Sequence, residues 1–194
     1  HKYFRINIHF CIFYINGTID NNGTIENNGG TIHNESYGTI NNGGIINIKR
    51  DGSMINEDTI NNKSGGIINI ESKDSILYDD DLNVDPGGKI VNYEWSIINN
   101  NGTINNVDSY STIKNFGEFN NNLGGIIINY SSKIINTNTI NNSGEFNNKL
   151  GGTINNKSGG TINNKSGGTI NNKSGTIEND YGATINNKSG GTNN

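Results

Sequence analysis

Gly151 to Gly175 spells one octapeptide, Gly-Gly-Thr-Ile-Asn-Asn-Lys-Ser, three times in register, and a further copy occupies Ala183–Gly190. Most of the chain reads as eroded copies of it. Thr-Ile-Asn is a short strand core, with the β-branched Ile on one side and Thr and the first Asn on the other. Asn-Lys-Ser-Gly-Gly is turn chemistry, because Gly and Asn accept positive φ and Ser and Asn bond their own backbone. One apolar residue in eight cannot build a hairpin core. It can build a column when each unit stacks on a copy of itself, and that defines a solenoid. The spacing therefore predicts an all-β fold, a parallel β-solenoid, with short strands grouped about three to a coil. A coil of about 22 residues gives roughly eight coils; two strands per coil is the competing grouping.

The core column is expected at Ile154, Ile162, Ile170 and Ile185. Upstream it runs through Ile19, Ile25, Ile32, Ile40, Ile46, Ile55 and Ile60, and on through Phe119, Ile135 and Phe146. Asn156, Asn164, Asn172 and Asn187 share the parity of Ile and are expected to face inward as an asparagine ladder. A longer duplication also appears: TIKNFGEFNNNLGG at Thr112 matches TINNSGEFNNKLGG at Thr139.

Residues 1–16 differ from the rest. Phe4, Ile6, Ile8, Phe10, Ile12 and Tyr14 share even parity, with Arg5, Asn7 and His9 between them, which reads as one long strand. Two roles fit it: a cap on the solenoid, or a donor strand to another subunit. Ile6, Ile8, Phe10 and Ile12 are the candidate assembly residues. Residues 17–194 read as solenoid repeats that stop inside a repeat, with no C-terminal cap. A start at His1 points to a removed leader or a fragment. An uncapped solenoid end points to head-to-tail assembly or to a larger parent chain.

Composition excludes several classes. The formal charge is −4 and no basic run occurs, so nucleic acid is not an expected partner. No apolar stretch is long enough for a membrane-spanning helix. Hydrophobic residues make up only 30 %, yet the regular Ile spacing argues against disorder. Cys11 is alone and reads as a small buried hydrophobe, the alternative being an intermolecular disulfide. No Ser-His-Asp set or phosphate loop is present, so no enzyme and no cofactor are expected. Asp79, Asp81, Asn83 and Asp85 imitate the start of a calcium loop, but Val84 stands where that loop needs Gly and Ile90 where it needs Glu, so the match is weak. Tyr78, Tyr93, Trp95, Tyr110 and Tyr130 form either a strip for sugars or lateral packing, or isolated corner residues. Glycans are further candidates at the Asn-x-Ser/Thr sites, Asn16, Asn22, Asn34, Asn62, Asn101, Asn129 and Asn141 besides the ladder positions.

The Gly-Thr-Ile-Asn-Asn phrases at 102–106, 152–156, 160–164 and 168–172 resemble repeats of β-solenoid surface proteins of the filamentous-haemagglutinin adhesin type. The resemblance covers roughly residues 16–194. It implies a right-handed parallel β-helix, secretion and a role at the cell surface, and it carries over no functional residue. The resulting expectation is an extracellular structural protein that partners itself head to tail in a filament. The alternatives are a spacer from a large adhesin, and an ice- or glycan-binding solenoid.

Overall fold

The computed structural model describes residues 5–71, 87–164, 169–174, 176–187 and 192–193. Its elements are short strands, twenty-five among the described residues, and every strand pairs parallel with its neighbours, with one isolated antiparallel bridge between His9 and Gly29. The first coil is β1 (Arg5–His9), β2 (Ile12–Ile15) and β3 (Thr18–Asn21); the second is β4 (Thr24–Asn28), β5 (Thr31–Asn34) and β6 (Thr39–Asn42). β1 pairs with β4, β2 with β5 and β3 with β6, and this step of three holds to the end. Three sheets of nine, eight and eight strands result. Over its described residues the chain is thus a three-sided parallel β-solenoid of eight three-strand coils and one last strand.

The octapeptide is one side of the triangle, a four-residue strand plus a four-residue corner. In its tidy copies three octapeptides close one coil, so Glu145 pairs with Thr169. Elsewhere corners shrink to two residues and coils shorten; Arg5 pairs with Thr24. The longest coil lies between Ile67 and Thr103, and it includes 72–86. The calcium candidates Asp79, Asp81, Asn83 and Asp85, and also Tyr78, lie outside the described residues.

Most strands turn two residues inward, an apolar one and then, usually, Asn. Ile25, Ile46, Ile68, Ile104, Ile127, Phe146 and Ile170 form the apolar column of the first face. Each buried Ile contributes roughly 1.5–3 kcal/mol before ordering costs. Ile154 and Ile162 are buried likewise, while Ile185 packs against the core partly buried.

Two expected core positions shift by one residue. Met54 and Ile134 are buried in place of Ile55 and Ile135. The cause is the second inward residue: Asn56 must align with Asn34, and Asn136 with Asn115, and strand parity then turns Met54 and Ile134 inward.

The N-terminal segment is two strands of the first coil rather than one long strand. Phe10, at φ 48°, and Cys11 make a two-residue corner that reverses the parity. Ile8 and Ile15 face the core, Ile6 and Phe13 lie at its edge, and Ile12 and Tyr14 are exposed. Cys11 is exposed, against the expectation of burial, because it stands in that corner.

Candidate functional site: amide ladders and an aromatic corner

Three inner amide ladders run along the axis. On the third face Asn21, Asn42, Asn62, Asn100, Asn121, Asn142 and Asn164 are linked in sequence, each Nδ2 donating to the next Oδ1 at 2.7–2.9 Å. On the second face Asn34, Asn56, Asn92, Asn115, Asn136, Asn156 and Asn179 do the same at 2.7–2.8 Å. On the first face the ladder runs from Asn106 through Asn129 and Asn148 to Asn172; the earlier positions of that column are Ile8, Asn27, Ile48 and Ile70. Asn187 pairs in register with Asn164. The same Nδ2 groups also donate to corner carbonyls, as Asn62 does to Gly66 O and Thr103 O. A ladder residue thus fixes coil stacking and chain direction at once.

An outer ladder covers the third face with opposite polarity. Each Nδ2 donates to the preceding coil: Asn186 to Asn163, Asn141, Asn120, Asn99, Asn61 and Asn41 in turn, and Asn41 to Asp20 Oδ1 at 3.0 Å. A shorter one on the first face runs Asn105, Asn69, Asn47 and ends on Glu26 Oε1 at 2.6 Å. Both end on carboxylates, which accept without donating. Outward pairs on the third face read Thr then Asn in most strands, as at Thr39 and Asn41, with Asp20, Ile97 and Glu118 as departures, and no Thr-x-Thr rank occurs among its described strands.

Glu26 is the charged hub of the early coils. Its carboxylate meets Lys49 Nζ at 2.6 Å and Arg5 at 4.0 Å. Burial alone would raise its pKa, but the bonds from Lys49 and Asn47 and the charges of Lys49 and Arg5 hold it below the ordinary glutamate range. A carboxyl whose folded pKa is lowered stabilises the fold fully above its unfolded value, about 4.3. That contribution disappears as pH falls through the folded value. Glu26→Gln is expected to cost about 2 kcal/mol at neutral pH and to flatten this acid-side loss. Denaturant titrations of both proteins between neutral pH and pH 3 check it; parallel pH profiles would refute it.

Corners differ by position. The corner between the second and third faces carries Tyr37, Tyr93, Trp95, Phe116 and Tyr181, whereas Tyr110 and Tyr130 stand at the corner between the first and second. The aromatic residues are therefore split between two edges. Tyr93 and Phe116 stack with centroids 6.4 Å apart. Of the Asn-x-Ser/Thr sites, Asn16, Asn22 and Asn101 are exposed, while Asn34, Asn62, Asn129, Asn156 and Asn164 are buried rungs closed to modification.

The four candidate assembly residues do not share one surface. Ile8 is buried, Ile6 is partly buried, and Phe10 and Ile12 are exposed, with the Phe10 ring against Gly29. Among the described residues no helix is long and apolar enough to cross a membrane.

No family model and no curated protein matches the chain. Among solved structures it is similar to a TibA fragment, hyper-glycosylated by TibC. The match is 15 % identical, covers 97 % of this chain and 94 % of that one, and has a TM-score of 0.26. The fold assignment rests on the strand pairing described above.

Proposed function

We propose that this chain is a non-enzymatic structural rod of the cell exterior, extended coil on coil, whose copies stack end to end into a filament. The observation that supports this reading is the likeness of the coil junctions on the second and third faces. Parallel backbone ladder, apolar columns and inner amide ladders recur from coil to coil with one polarity. Such a junction is heterologous: one surface meets a different one. Between copies it never closes and so generates fibres. Asp20 sets a limit, since its carboxylate cannot donate to a further outer rung. The junction would then rest on backbone, inner amides and the Ile columns. The exterior location draws on the resemblance of the repeats to surface solenoids.

Electron cryo-microscopy of the purified chain tests the reading. Expected are filaments with a layer line near 4.8 Å and an axial repeat of about 40 Å per eight-coil chain. Separate rods of that length at all concentrations would overturn stacking and leave the chain as a spacer.

A further inference from the structure

The corner between the second and third faces places aromatic rings where the turn favours glycine. Wide corners are four-residue turns in which the fourth N–H bonds the first C=O, as Gly66 does with Lys63, Gly160 with Lys157 and Ser96 with Tyr93. In all of these but Asp108–Ser111, where the first residue does so instead, the third residue adopts the left-handed conformation. Among the described residues it is Gly65, Gly124, Gly151, Gly159 or Gly182 in five of these turns, with φ between 77° and 83°. In three turns it is not glycine: Asp51, at φ 58°, Tyr37, at φ 71°, and Trp95, at φ 67°. Bulky residues are strained there. Burial does not offset the strain, because Tyr37 is 88 % and Trp95 95 % exposed. Strain of this kind, kept without a packing role, points to use outside the fold.

The surroundings define what is recognised. Coil three turns this corner with only Glu57 and Asp58, and coil five with only Phe116 and Gly117, so Glu94 and Trp95 stand as a ridge between two grooves. One groove, about 520 Å³, is lined by Ser36, Glu57, Tyr93, Glu94, Trp95 and Phe116. The other, about 480 Å³, lies beyond the ridge toward Thr137 and Asn138. The Tyr93–Phe116 stack supplies the apolar wall. Asp58 Oδ2 accepts the Tyr37 N–H at 2.8 Å and so holds the strained turn, and His33 Nε2 lies 2.9 Å from Glu57 Oε1. From coil two to coil five this edge carries Glu35, Glu57, Asp58, Glu94 and Glu118, and its turns hold no lysine or arginine.

An exposed indole beside carboxylates whose turns hold no lysine or arginine suits a cation, which the ring face attracts and the carboxylates neutralise. We propose that the Glu94–Trp95 ridge is a docking site for a cationic peptide segment. A guanidinium or ammonium group would stack on Trp95, with Glu94 and Glu57 as its counter-charges.

Trp95 is the chain's one tryptophan, so its fluorescence reports the site directly. Titration of the whole protein with tetra-arginine at low salt is expected to give a saturable emission change. Tetra-citrulline, neutral and of similar shape, should give none. Glu94→Gln should weaken binding about tenfold, equivalent to 1.4 kcal/mol. Trp95→Gly, followed by calorimetry, should lose binding while its strand circular dichroism stays intact, because glycine is the residue that five other turns use. The proposal fails if tetra-arginine gives no saturable change. It also fails if Trp95→Gly binds as before, which would mean diffuse attraction to an acidic edge. A response to neutral cellohexaose without one to tetra-arginine would make the ridge a sugar site and overturn the cation.

Discussion

Asn121→Ala is expected to destabilise the solenoid by about 3 kcal/mol, although the side chain removed is polar. Asn121 is fully buried. Its Nδ2 donates to Asn142 Oδ1 at 2.8 Å, to Glu145 O at 3.0 Å and to Gly125 O at 3.2 Å, and its Oδ1 accepts from Asn100 at 2.8 Å. Alanine leaves buried partners on both neighbouring coils short of a bond, and each costs about 1–3 kcal/mol when no water reaches it. The loss is local, because a coil touches only its neighbours. Hydrogen exchange should show reduced protection in strands Ile97–Asn100, Glu118–Asn121 and Thr139–Asn142 before the distant coils change. A change below about 0.5 kcal/mol, the usual size of a neutral surface substitution, would mean the ladder is incidental to stability.

The ladder also explains what the sequence made legible. Period and strand content follow from the octapeptide, because Ile and Asn two residues apart must both face inward; three strands per coil rather than two follows from the register. Where a strand holds two candidate apolar residues, as at Met54 and Ile55 or Ile134 and Ile135, the downstream Asn decides. Reading the ladder before the Ile column would have placed them. Ile48 and Ile70 stand at ladder positions and read as ordinary strand residues. The duplication at Thr112 and Thr139 falls on different faces, second and then third. The repeated unit is the triangle's side rather than its coil, so sequence period and coil length need not agree.

The corners were less legible. Phe10 and Cys11 turn the chain without Gly, Asn or Pro, so two strands read as one. The Glu94–Trp95 ridge carried a signal that aromatic spacing alone does not show. Superposing Tyr93–Ser96 on Lys157–Gly160, turn upon turn, puts Trp95 in a glycine slot. The opposed groove depends on which coils turn tightly, and that requires the full register.

Glycine at the tight corners supports the second large effect, Gly102→Ala, for which a loss of about 3 kcal/mol is expected. A methyl group there would lie 2.2 Å from Gly66 O and 2.5 Å from Lys63 O, both backbone atoms of the preceding coil. Gly66 O is also the acceptor of the Thr103 N–H at 2.9 Å. The methyl cannot be accommodated by rotating a side chain, so coils four and five must separate where the ladder crosses from corner to strand. Gly65→Ala is the control. Its site has open space, and only its φ of 82° opposes a side chain, a penalty of about 1–2 kcal/mol. Urea midpoints of the two variants separate steric contact from backbone conformation. Gly102→Ala should be the less stable, with new protease cleavage near residue 102. Equal midpoints would show that the coils yield to the methyl, and that the glycine before each first-face strand serves only to turn the chain.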